Sequence, residues 1–237
     1  MREVRDLEAA AKRTAIVYVV VLSLCMPLAA LYLFLCGSLF PNIAGDNTTV
    51  MLVLCLLPLI AYWLAVAVLG IRNIVYAFRM GQQRKTRFCA AAMLIHKYGL
   101  VVFFCVNFVV LFGYYLLMTM AALVGTRGLV IFAAPVLLPF WLALIGWSIF
   151  ATWLAILPGT AYSLQVIYGT WRVGKMSLPK AVIHAILQFF FLTDVLDSMY
   201  LAVKKWSMGK KSSVAVGAVY VAAVIGCVIL FLKLKNM

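Results

Sequence analysis

The sequence predicts an all-α integral membrane protein: a polytopic bundle of six transmembrane helices with the N-terminus and the C-terminus in the cytoplasm. Three observations carry that prediction. The chain of 237 residues is 67% hydrophobic and only 11% charged, more apolar surface than a core folded in water can hide. Its apolar residues fall in runs of the length that a bilayer requires. Its 20 Lys and Arg residues sit in short clusters between those runs, where cations normally flank spans.

The clustering also bears on partners. A net charge of +14 would suit a nucleic acid, but no basic domain outside the apolar runs can hold a phosphate backbone. The lipid bilayer and its anionic head groups are the expected partners instead, and the plasma (cytoplasmic) membrane the expected location. The six cysteines (Cys25, Cys36, Cys55, Cys89, Cys105 and Cys227) form no CxxC pair and mostly lie inside apolar runs. They read as small core residues rather than as a disulfide frame or a metal site, and neither metal nor cofactor is expected.

In chain order, Met1 to Arg13 is mixed in charge and rich in helix formers, a short helix at the cytoplasmic surface. Span one covers about 14–37 with a kink at Pro27. Its apolar run is too long for a signal-peptide core and ends without a small-x-small cleavage site, so it reads as uncleaved. Ser38 to Thr49 has the composition of a turn, with Pro41, Gly45 and Asp46; Asn47-Thr48-Thr49 matches the glycosylation sequon only as a three-residue coincidence. Span two covers about 50–78 and leads into the strongest basic cluster, Arg79, Arg84, Lys85 and Arg87.

Phe88 to Lys97 reads as an interfacial turn or an extension of span three, which covers about 98–124 and carries one polar residue, Asn107. Pro135 and Pro139 then suggest a re-entrant or interfacial piece over 129–140, before span four at about 141–168. Pro179 suits the first turn of a fifth helix over 180–203. A sixth span over 214–232 closes with Lys233 and Lys235.

Two stretches look alike. Ile74 to Gly81 and Ile167 to Gly174 both end in aromatic-Arg-x-Gly, and the helices after them carry Phe103-Phe104 with Asn107 and Phe190-Phe191 with Asp194. A parallel duplication of spans two and three in four and five would account for this, and duplicated spans often put a binding site at the repeat interface.

Charge counting orients the bundle. With six spans and a cytoplasmic N-terminus, only Arg127, Lys204, Lys205, Lys210 and Lys211 of the 20 cations lie outside. If the fifth segment stays on the cytoplasmic side, the outside cations fall to three: Arg127, Lys233 and Lys235.

The candidate site lies in that fifth segment. Asp194 and Asp197 are the only two of the six acids inside a long apolar run, and a carboxylate there needs a partner, a proton or a water path. Spaced three apart, they share one helix face, where one raises the other's affinity for a proton. His184 and Gln188 fall on the same stripe. On one straight helix His184 and Asp194 would stand about 15 Å apart, too far to share a ligand. Asn107 and Gln188 read as interhelical hydrogen bonders. For Asp197 a bond to the nearby Lys204 or Lys205 is the simpler alternative to a functional role.

No His-Glu-x-x-His, Gly-x-Ser-x-Gly or paired-glutamate motif is present, so no catalytic residue is assigned and no enzyme is expected. The length, surface helix and six apolar runs resemble, in architecture and without a diagnostic motif, permease subunits of the type-two exporter group of ATP-binding-cassette transporters. That resemblance implies a transport-related membrane subunit whose Gly81 to Lys97 loop docks on a cytoplasmic ATPase or another membrane subunit. The competing expectation is a non-transporting scaffold, assembly or regulatory membrane protein.

Overall fold

The computed structural model describes residues 2–45, 47–132 and 134–235; some side chains within these helices, most of those from 223 onward among them, are outside the described set. Asp46, Cys227, Lys233 and Lys235 therefore lie outside the described residues or side chains.

Every regular element among the described residues is helical. Helix α1 (Arg2–Ser23) is followed by α2 (Cys25–Phe34), a π-helical turn over Leu35–Leu39, and α3 (Phe40–Ala44). Two long helices follow, α4 (Thr48–Gln82) and α5 (Thr86–Gly125), then a 3-10 turn at Leu129–Ile131 and α6 (Ala134–Arg172). The chain continues through α7 (Leu178–Leu187), α8 (Thr193–Tyr200), a second π-helical turn at Leu201–Lys205 and α9 (Lys210–Lys235).

Among the described residues, four helical stretches are long and apolar enough to cross a membrane: Cys25–Ile43, Thr48–Gln82, Thr86–Asn107 and Trp141–Arg172. In the most apolar part of α4 only 6% of residues are buried inside the protein, which leaves Leu57, Ile60 and Leu64 outward-facing, as lipid contact requires.

The structure corrects several boundaries. The first apolar run is not one helix over 14–37. Ala11, Ala15, Tyr18 and Leu22 form a buried stripe on α1, so one face of residues 14–23 packs inside the protein while Ile16, Val17 and Val20 stay exposed. Pro27 has no N–H for the Ser23 carbonyl, and the helix breaks at Leu24 between them. The expected re-entrant piece over 129–140 is also absent as a separate element: from Ala134 onward the chain is already α6, with Pro139 and Pro158 inside it. The expected docking loop over 81–97 shrinks to a tight turn with Arg84 at φ 57°, because α5 starts at Thr86. Asn47, in the sequon, accepts the Val50 N–H at 3.1 Å and caps the start of α4.

The chain divides into two compact units. The first comprises Met1–Tyr76 and Gly99–Gly159. Its core gathers Tyr18, Leu22, Val66, Leu100, Phe103 and Ala155. The Tyr18 hydroxyl donates to the Ala155 carbonyl at 3.1 Å, and Tyr62 donates to the Val21 carbonyl at 3.1 Å. Asn73 Nδ2 donates to the carbonyls of Leu69 and Thr14. These bonds satisfy polar groups that burial would otherwise penalise.

The second unit comprises Ala77–Tyr98 and Thr160–Met237. Its core holds Met80, Met93, Tyr162 and Val166, all almost fully buried. Gly169 brings α6 against Thr86 of α5, where any Cβ would overlap the threonine side chain. Trp206 Nε1 donates to Thr170 Oγ1 at 2.8 Å, and Lys175 and Lys205 each donate to the other's carbonyl. Together they tie the segment after α8 to the end of α6.

Candidate functional site

The expected helix over 180–203 is two short helices that fold back on each other within the second unit. Ser177 is extended, Pro179 occupies the first turn of α7, and that helix stops after ten residues. Nothing in Gln188 to Leu192 is Gly or Pro. The Thr193 hydroxyl lies 3.2 Å from the carbonyls of Leu187 and Phe190, which also accept the N–H groups of Phe190 and Asp194. The turn places Leu192 at φ 70°, a region costly for a side chain with a Cβ. α7 has ten residues, and α8 with the π-helical turn that continues it to Lys205 has thirteen, both short of the roughly 20 residues of a span.

Folding back brings together what a straight helix would separate. His184 and Asp197 are thirteen residues apart, about 20 Å along a continuous helix, yet His184 Nδ1 and Asp197 Oδ1 are in hydrogen-bond contact. Gln188 Nε2 donates to the other oxygen, Asp197 Oδ2, at 2.5 Å, and Gln188 Oε1 accepts from Ser198 Oγ at 3.3 Å. His184 and Gln188 are four apart on α7, and Asp194, Asp197 and Ser198 share one face of α8, so the two inner faces meet. Tyr200 stacks on the His184 ring, with centroids 5.4 Å apart and planes 12° from parallel.

Asp194 has a partner that the sequence reading assigned to the cytoplasmic interface. Lys97 of α5 is buried, and its Nζ lies 2.7 Å from Asp194 Oδ2 with both side chains 4% exposed. It also donates to Thr160 Oγ1 of α6 at 3.4 Å, and Thr160 in turn donates to the Gln188 carbonyl at 3.1 Å. The two acids are thus joined through Thr160 and Gln188 into one chain of polar contacts, within the low-dielectric interior that strengthens each link.

The electrostatics follow from this inventory. Lys97 offsets Asp194, which leaves Asp197 with His184 and the Gln188 amide. Burial pushes the Asp197 carboxyl above its ordinary range, opposed by the hydrogen bond and charge of His184, by the Gln188 amide and by Lys97. A proton on Asp197 leaves Lys97 and Asp194 as a balanced pair of charges.

The other expected site residues lie elsewhere. Asn107 belongs to the first unit, where its Nδ2 donates to Thr152 Oγ1 at 3.2 Å. It does not mirror Asp194: α5 runs unbroken through Asn107, whereas the chain turns back before Asp194. His96, not among the expected site residues, is fully buried beside Lys97, with Nδ1 at 3.0 Å from the Ala92 carbonyl and its ring 5.3 Å from that of Tyr162. Asp197 is not bonded to Lys204 or Lys205. Arg79, Arg84, Lys85 and Arg87 are all exposed around the turn between α4 and α5, a basic edge rather than a long loop.

Lys97 and Thr160 are the two members of the cluster that sequence reasoning missed. A family model described as "Family of unknown function (DUF6652)" matches residues 10–208, which include the whole cluster. No curated protein and no solved structure matches the chain.

Proposed function

The chain belongs to this DUF6652 family, and from that premise we propose that it is a transport-related membrane subunit in which the α7–α8 hairpin is a proton-responsive element. One observation carries the reading: two carboxylates, a lysine and a histidine lie in one buried polar network between a broken helical segment and two long helices. Ionisable groups kept inside an otherwise apolar helix bundle are costly, and broken helices lined by polar contacts recur where membrane proteins bind and move ions.

A hairpin in place of a fifth span changes the topology. With a cytoplasmic N-terminus, the loops after α4 and α6 and the hairpin with Lys204, Lys205, Lys210 and Lys211 share the cytoplasmic side. Only Arg127, Lys233 and Lys235 of the 20 cations then lie outside, a better count than six spans allow. The C-terminus moves to the outer side, in place of the cytoplasmic one that six spans imply. The exposed Arg79, Arg84, Lys85 and Arg87 form the edge on which a cytoplasmic ATPase or a second membrane subunit docks, and the plasma (cytoplasmic) membrane is the location.

The experiment has two arms. Purification of the tagged protein from its own membranes reports whether an ATPase accompanies it, and charge reversal at Arg84 and Arg87 should lose that partner. Proteoliposomes loaded with a pH-sensitive dye report proton movement, which Asp197→Asn should abolish. An unaccompanied protein with proton leak equal to that of empty vesicles would defeat the reading.

The completeness of the pairing favours a second reading. Both acids are bonded and buried, as in a latch that fixes a hairpin without moving anything, so the protein is alternatively a non-transporting scaffold, assembly or regulatory subunit. Neither reading includes catalysis.

A further inference from the structure

We propose that the open groove between the end of α8 and the start of α9 binds an anionic diacyl phospholipid of the surrounding bilayer. The groove measures about 570 Å³ and its walls are Met199, Tyr200, Val203 and Val214. Lys204 and Lys210, both exposed, stand at its rim. A volume of this size lies within the range of about 300–1,000 Å³ typical of small-molecule sites.

The turn between the two helices is shaped to put these lysines side by side. Ser207 at φ 55° and Gly209 at φ 69° reverse the chain, and the Met208 N–H closes on the Ala202 carbonyl at 2.9 Å. Ser213 in the first turn of α9 is pinned by the Tyr98 hydroxyl at 2.5 Å. Lys205 is engaged by the Lys175 carbonyl, with its Nζ 5.9 Å from the centroid of the Tyr200 ring, and Lys204 and Lys210 are the two cations that line the groove.

Charge and shape identify the occupant. The second unit has only two acids, Asp194 and Asp197, and both are buried and paired away from the groove. Neither of these side chains is free to neutralise the rim, which leaves Lys204 and Lys210 as a positive edge complementary to an anion. An anion alone has no use for four apolar walls. Leu196, one helical turn before Tyr200 on α8, and Phe189 to Leu192 at the tip of the hairpin are also apolar and exposed. A phosphate between two ammonium groups with acyl chains on apolar walls is the chemistry of an anionic phospholipid.

The test uses full-length protein, delipidated in detergent and titrated with phosphatidylglycerol or phosphatidylcholine, with bound lipid counted by native mass spectrometry. Phosphatidylglycerol should bind in preference. Lys204→Gln with Lys210→Gln should weaken it about 30-fold, from roughly fivefold for each cation facing an anionic head group. Val214→Trp, which fills the groove and leaves every charge in place, should weaken both lipids. Lys12→Gln, at an exposed cation far from the groove in sequence, should leave binding of both lipids unchanged. Equal retention of phosphatidylglycerol by the parent and the double lysine variant would overturn the proposal. So would competition by inorganic phosphate with no effect of Val214→Trp, which would mark a site for a free anion.

Discussion

Replacing Lys97 with Met removes a charge from a place where water cannot compensate for it. The Lys97–Asp194 contact is 2.7 Å and both side chains are 4% exposed, so neither solvent nor salt screens what is left. Met keeps the length of the side chain, so the loss is electrostatic rather than a cavity. Asp194 is then left with no cation in reach, and breaking a buried pair from one side costs about 3–5 kcal/mol. At about 1.4 kcal/mol per tenfold, the fraction of molecules with an open hairpin should rise at least a hundredfold. Asp194→Leu should cost a similar amount from the other side, leaving Lys97 with the Thr160 hydroxyl as its hydrogen-bond partner and the more distant charge of Asp197. The double variant, with the pair replaced by apolar groups of similar volume, should return to within about 1 kcal/mol of the parent or exceed it. Reversible unfolding in mixed micelles gives the global value, and hydrogen exchange over residues 188–200 gives the local one. Additivity of the two single losses in the double variant would refute the reasoning, because independent sites add and paired ones do not.

Three further outcomes follow. Asp197 binds its proton more tightly folded than unfolded, so its contribution to stability is full below its ordinary value of 3.8 and is lost as pH rises through the raised one; subtracting the Asp197→Asn profile of stability against pH from that of the parent should leave a descending step above pH 3.8. Leu192→Gly should raise thermal stability by about 1 kcal/mol, since Gly accepts φ 70° without strain and the leucine side chain is mostly exposed; a fall in midpoint would contradict the strained turn. Gly169→Leu should destabilise by about 1–3 kcal/mol through overpacking against Thr86, while the same change at Gly146, whose Cβ meets nothing, should be tolerated.

The helices were legible because they rest on local composition. Apolar runs of sufficient length announce α4 and α6, and the spacing of His184, Gln188, Asp194 and Ser198 announces a shared polar face. The break at Gln188 to Leu192 was not legible in the same way. No Gly or Pro marks it, and the turn is held by the Thr193 hydroxyl and by contacts to other helices. The one local hint is Thr193-Asp194, residue types that favour helix starts. Lys97 was assigned to the interface because a lysine beside a histidine at the end of a basic stretch has that local appearance. Its partner is 97 residues away, and no periodicity reports such a distance. Charge balance was the available clue: two acids in an apolar segment require a base, and Lys97 is the one lysine standing inside another apolar run. Asn107 and Asp194, alike in their local sequence, meet different tertiary partners, Thr152 and Lys97.

The side of the membrane on which Ser207 emerges tests the account most directly. In a background with all six cysteines replaced, single cysteines at Gln83 and Ser207, both exposed, are labelled in intact vesicles with a membrane-impermeant maleimide. If α7 and α8 fold back as a latched hairpin, both positions react from the same side. If residues 180–203 cross the bilayer, Gln83 and Ser207 react from opposite sides, and the latch of Lys97, Asp194, His184 and Asp197 is contradicted.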